Sequence, residues 1–157
     1  MSDIYLILKL IHILGSAVLF GTGLGIAFFM FMAHRTRDPA AIAHTARVVV
    51  IADALFTATA VVVQPATGFA MMALVGFTTH HLWIAASLAL YVLVGLCWLP
   101  VLWIQLQLRN LAAAAVRDGT VLPERYHQLF RIWFWLGWPA FLGVVAIFAL
   151  MIFKPQW

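Results

Sequence analysis

Apolar residues in this chain neither alternate nor recur at every third or fourth place. They run on in four long blocks, at about 4–32, 41–73, 82–108 and 126–153, parted by short polar stretches. Each block exceeds the roughly 20 residues that an α-helix needs to cross the hydrocarbon of a bilayer. No stretch shows a strand period, and no internal repeat is evident. The pattern predicts an all-α bundle of four transmembrane helices, built as one integral membrane domain over residues 1–157. The first block is too long for the h-region of a cleaved leader and has no basic n-region before it.

Composition agrees with this reading. The chain is 66% hydrophobic and only 9% charged, far from the balance of a soluble domain. Its formal charge of +4 could suggest nucleic acid. The basic residues lie between the spans, however, so they report orientation in the bilayer instead. Arg35, Arg37 and Arg47 flank the first connection, and Arg109, Arg117 and Arg125 the third. The middle connection, with His80 and His81, has neither Lys nor Arg. The positive-inside rule then places the Arg-rich connections in the cytoplasm of a bacterial inner membrane, with both termini outside, in the periplasm. The single cysteine, Cys97, excludes an intramolecular disulfide and any Cys-pair metal site.

Candidate chemistry starts from the ionisable residues inside the spans, which are costly there and are functional suspects by default. Lys9, His12, Ser16 and Gly23 share one side of helix 1, while Gly21 and Gly25 form a small-xxx-small pair on the other. That pair predicts a close packing seam, within the bundle or between copies in a homo-oligomer. On helix 2, Asp53, Thr57, Gln64, Thr67 and Met71 align on one stripe, which must face the bundle interior or water. Pro65 removes a backbone bond beside Gln64 and predicts a kink. At 1.5 Å per residue, His12 lies roughly 12 Å inside the outer end of its helix, level with Gln64, Thr67 and Tyr91. Asp53 lies deeper. The spacing therefore predicts a pocket of His12, Gln64, Thr67 and Tyr91, without a direct His12–Asp53 pair.

A neutral imidazole in a helical bundle suits haem iron, and Lys9, one turn away, suits a propionate. A structural hydrogen bond or proton handling is the competing reading of His12. His34, His44 and His127 are expected in water at the cytoplasmic edge. Met71, Met72, His80 and His81 form a loose imidazole and thioether group that would suit copper. The aromatic stripes of helices 3 and 4 (Trp83, Tyr91 and Trp98; Trp135 and Trp138) read as packing, with Trp83 and Trp157 as interfacial anchors. Catalytic triads, paired carboxylates and phosphate-binding loops are absent from the sequence.

Three groups of residues carry a resemblance. They are Lys9-Leu-Ile-His12-Ile13-Leu-Gly15 with the glycines that follow; Asp53 to Thr57 with Gln64-Pro65-Ala-Thr67-Gly68; and Gly137-Trp138-Pro139 with Lys154-Pro155. Together they resemble a family of predicted bacterial integral membrane proteins of unknown function. That family is distantly similar to the haem-containing J-type protoporphyrinogen oxidases and to the membrane domain of CopD-type copper-resistance proteins. The resemblance implies a b-type haem with His12 as its axial ligand, and a redox, electron-transfer or haem-handling role with a redox partner. Ser87 stands where the oxidases carry a lysine, and Gly137-Trp138 where they carry Asn-Glu, so the resemblance implies the haem ligand without the oxidase. The alternatives are copper binding or permeation at the outer face, and a non-catalytic assembly protein docking through Gly21 and Gly25.

Overall fold

The computed structural model describes residues 3–155, and all of its regular structure is helical. Helix α1 is Asp3–Thr36. The second span, Pro39–Val75, is made of α2 (Pro39–Ala52), one π-helical turn (Asp53–Thr57) and α3 (Ala58–Val75). Helix α4 is Leu82–Asp118 and α5 is Glu124–Phe153. Each of the four spans is long and apolar enough to cross a membrane.

The ends have local causes. Asp38 caps α2 by accepting from the Ala40 and Ala41 amides at 3.0 and 3.3 Å, and Pro39 supplies the preset φ of a first helical residue. Gly76 and Gly119 close α3 and α4 in the left-handed conformation, at φ 73° and 63°. The charges from Arg109 onward predict a loop, but α4 continues through them to Asp118. The run Leu111 to Val116 contains four alanines, the strongest helix formers, and Ala112 and Ala115 are buried. The true stop signal is Gly119.

The core is concentrated at one end. Met30, Ile42, Leu108 and Tyr126 are almost fully buried there, joined by Ile26, Val49, Ile104, Phe130 and Trp133. This is the Arg-rich end. In the other half, no residue of α1 before Ile26 is buried. There α1 lies against α3, and meets α5 through Phe20, whose ring is 5.4 Å from Phe141 and 5.5 Å from Phe148. The most extensive interface joins α4 to α5, and α2 packs next most on α4. Two glycines permit close approaches. A Cβ on Gly15 would meet the Gln64 amide nitrogen at 2.5 Å, and one on Gly143 would meet Val94 Cγ2 at 2.6 Å. Gly21 has open space around it, and Gly25 has only Phe29 of its own helix nearby. The small-xxx-small pair is therefore not a seam within the bundle.

Pro65 shows how a membrane helix tolerates proline. It has no N–H, so the Val61 carbonyl one turn earlier loses its helical donor. The Tyr91 hydroxyl of α4 donates to that carbonyl. Lipid offers no substitute donor. Tyr91→Phe should therefore lower stability by about 1–3 kcal/mol, the usual penalty for stranding a buried polar group. Thermal unfolding in detergent measures it. Adding Pro65→Ala should recover most of the loss, because alanine restores an N–H at position 65. Two additive destabilisations would refute the pairing.

Candidate functional site

Two polar centres lie inside the spans. The first joins α1 to α3 around His12. His12 Nδ1 lies 2.8 Å from Thr67 Oγ1. The Thr67 hydroxyl also lies 2.7 Å from the Val63 carbonyl and donates its one proton there. It must then accept from His12, which puts a proton on Nδ1 of the imidazole. Among the described residues Nε2 has no hydrogen-bond partner, and His12 is only half-buried. Gln64 Nε2 donates to the His12 backbone carbonyl at 2.9 Å and fastens the two helices at this level. Gly15 makes room for that amide, and a Cβ on Gly68 would lie only 3.5 Å from His12 Cε1.

The structure thus brings His12, Gln64 and Thr67 together. The other expected members fall elsewhere. Tyr91 serves Val61, as above, and does not reach His12. Ser16 donates to the Ile13 carbonyl of its own helix at 2.8 Å. Lys9 is exposed one turn from His12.

The second centre is the π-helical turn. Such turns insert one extra residue into a helix and recur at functional sites. Asp53 and Thr57, at its two ends, are both buried. Trp98 Nε1 of α4 donates to Asp53 Oδ1 at 3.4 Å, and Thr57 and Gln105 adjoin the same carboxyl. The stripe on the second span therefore divides: Asp53 turns to α4, Gln64 and Thr67 to α1. Sequence reading missed Gln105 and the π turn. Gln105 had a usable signal, an amide four residues before Arg109, paired with Gln107 at the end of an apolar run. The Thr57 hydroxyl, Gln105 Oε1 and Trp133 Nε1 are buried without a protein partner.

Two further side chains, His34 and Trp83, require corrections. His34 is not simply solvated. Its ring stacks on Phe130 at 3.6 Å and 8°, and its Nδ1 lies 3.3 Å from the Tyr126 hydroxyl. Apolar rings at the core edge hold it better than water does. Trp83 is buried instead of anchoring at a boundary. It sits edge-on to Phe77, and the Lys154 ammonium lies 5.6 Å from its ring centre. His44 is exposed. His81 Nδ1 is engaged with the Thr78 carbonyl at 3.0 Å, in the turn before α4. Among the described residues, no three His, Cys, Asp or Glu side chains lie together as a metal site. Trp135 and Trp138 lie exposed on the outside of α5, with Trp133 the buried tryptophan of that helix. Trp157 lies outside the described residues.

The model of a family described as predicted integral membrane protein, DUF2269, matches residues 6–155, nearly the whole chain. The chain belongs to this family. The match takes in all four spans, and DUF2269 membership agrees with a multi-pass integral membrane protein. No curated protein and no solved structure matches the chain.

Proposed function

We propose that this protein binds b-type haem through His12 Nε2, and serves a redox, electron-transfer or haem-handling role in the bacterial inner membrane. The observation that carries the reading is the Thr67 hydroxyl. By donating to Val63 it obliges His12 to carry its proton on Nδ1, which frees Nε2 as a ligand. A second hydrogen bond that fixes tautomer and ring orientation is the usual support of a metal-bound histidine. The donor set fits one axial bond. Gln64 holds the His12 backbone against α3, and Lys9 offers a cation one turn away for a propionate. The haem, when bound, would supply one-electron iron chemistry. The likeness of the Lys9 to Gly15 stretch to haem-containing membrane proteins supports the same assignment. Copper at the His80–His81 connection has weaker support, since His81 is engaged by Thr78.

A reduced-minus-oxidised spectrum of detergent-purified protein, expressed with ample haem, tests this. Wild type should show Soret and α bands. His12→Ala should lose them, and Thr67→Val should retain haem 10–100-fold less tightly. A wild-type preparation without bands would sink the proposal. Bands that survive His12→Ala would remove His12 as the ligand.

A further inference from the structure

At the Arg-rich end, a cavity of about 680 Å³ opens between the end of α1 and the start of α5. His34, Arg35, Arg37, Leu122 and His127 line it. Four of the five are cationic or can become so, and no carboxylate is among them. Asp38, the nearest acid in sequence, has both its oxygens on the α2 amides. Of the other acids at this end, Asp118 pairs with Arg117 at 3.0 Å and Glu124 with Arg131 at 4.0 Å. Neither Arg35 nor Arg37 has a carboxylate partner among the described residues.

One side of the wall is held in place. His34 is clamped by Phe130 and Tyr126, and His127 stands edge-on to it at 5.8 Å. Arg37 adopts the left-handed conformation at φ 58°, uncommon for a residue with a side chain, in the tight turn between α1 and α2. Backbone strain of this kind clusters at ligand clamps. The volume lies within the range of small-molecule pockets and is much larger than one phosphate needs. Its depth matters too. A helix of 34 residues is about 51 Å long against a hydrocarbon core of about 30 Å, so the end of α1 reaches headgroup level.

We infer that this cavity is a phosphate-anion site, its oxyanion gripped by Arg35 and Arg37 with His34 and His127 as further donors. Planar guanidinium forks match phosphate oxygens in pairs. Basic pockets between transmembrane helices at this depth suit anionic lipid headgroups. The site is independent of His12, and neither assignment depends on the other.

Calorimetric titration of the detergent-solubilised chain tests it, with two probes. One is inorganic phosphate, and the other is short-chain phosphatidylglycerol below its micellar concentration. We expect saturable binding of at least one, weakened tenfold or more in Arg35→Gln/Arg37→Asn. Arg109→Gln, at the same end but outside the cavity, should bind as wild type does. Binding of the lipid alone identifies a headgroup site, and equal binding of both probes a site for free phosphate. If the double variant melts early, the single variants Arg35→Gln and Arg37→Asn take its place, each with a threefold or greater loss expected. No saturable binding of either probe overturns the inference, as does binding unchanged by the substitutions.

Discussion

Tyr126→Ala should destabilise the folded chain by about 3–5 kcal/mol, the range for truncating a fully buried aromatic side chain. Tyr126 has no exposed surface and shares the core with Met30, Ile42 and Leu108. Its ring centre lies 5.7 Å from that of His34 and 6.3 Å from that of Phe130. Alanine would leave a cavity between α1, α2, α4 and α5 that their backbones could close only by shifting, and interiors packed this densely shift little. It would also release His34 from its hydroxyl partner. Tyr126→Phe separates the two contributions. It keeps the ring and removes one hydrogen bond, for about 1 kcal/mol. Thermal unfolding in one detergent, followed by circular dichroism, should rank wild type above Tyr126→Phe and both well above Tyr126→Ala. Equal melting of the two variants would show that the hydroxyl, not the ring, is what the core needs.

Gly143→Leu should part α4 from α5. Even one added methyl group at Gly143 would lie 2.6 Å from Val94 Cγ2, closer than real carbon contacts permit. Overpacking of this kind costs about 1–3 kcal/mol in well-packed interiors. Leucine brings a far larger group into the same gap, at the most extensive interface in the bundle. Helix association inside lipid depends on close van der Waals fit, because lipid tails solvate apolar side chains as well as a neighbouring helix does. A lost fit therefore has no hydrophobic compensation. The expected result is a lowered melting temperature, partly restored by Val94→Ala in the same chain. Gly137→Leu, on the same helix but with open space around it, should melt close to wild type. A Gly143→Leu protein as stable as Gly137→Leu would refute the contact.

The spans were legible because hydrocarbon imposes one requirement, an unbroken apolar block. The stripe from Asp53 to Thr67 was legible for a related reason: polar side chains on a membrane helix must find a partner helix. Depth counting placed His12 beside Gln64 and Thr67, since the rise per residue is fixed. It could not place Tyr91, because two groups at one level can face different neighbours. Pro65 held the missing information, in the form of a carbonyl needing an outside donor. The π turn was invisible, since a single inserted residue leaves hydropathy unchanged, and with it went the division of the stripe between α1 and α4. Within the bundle, glycine spacing was no guide. Gly21 and Gly25 carry the recognisable spacing, yet Gly15 and Gly143, with no motif, make the close approaches. The alanine-rich end of α4 was masked by its charges. His34 looked solvated because its partners, Tyr126 and Phe130, lie far away in sequence.

The uneven core gives the two ends of this bundle different physical characters. Helix α4, at 37 residues, is about 55 Å long, and roughly 25 Å of that exceeds the hydrocarbon thickness. Its last turns carry the buried Ala112 and Ala115, and Ala112 shares the core with Tyr126. The Arg-rich end thus coheres through a shared apolar core drawn from α1, α2, α4 and α5. The opposite end, where His12 lies, has only helix-to-helix fit and a few hydrogen bonds to hold it. One end is therefore an anchor block of fixed shape. The other is held along α1 by the His12–Thr67 and Gln64–His12 hydrogen bonds and the Phe20 contacts, and is where loosening of the bundle should begin.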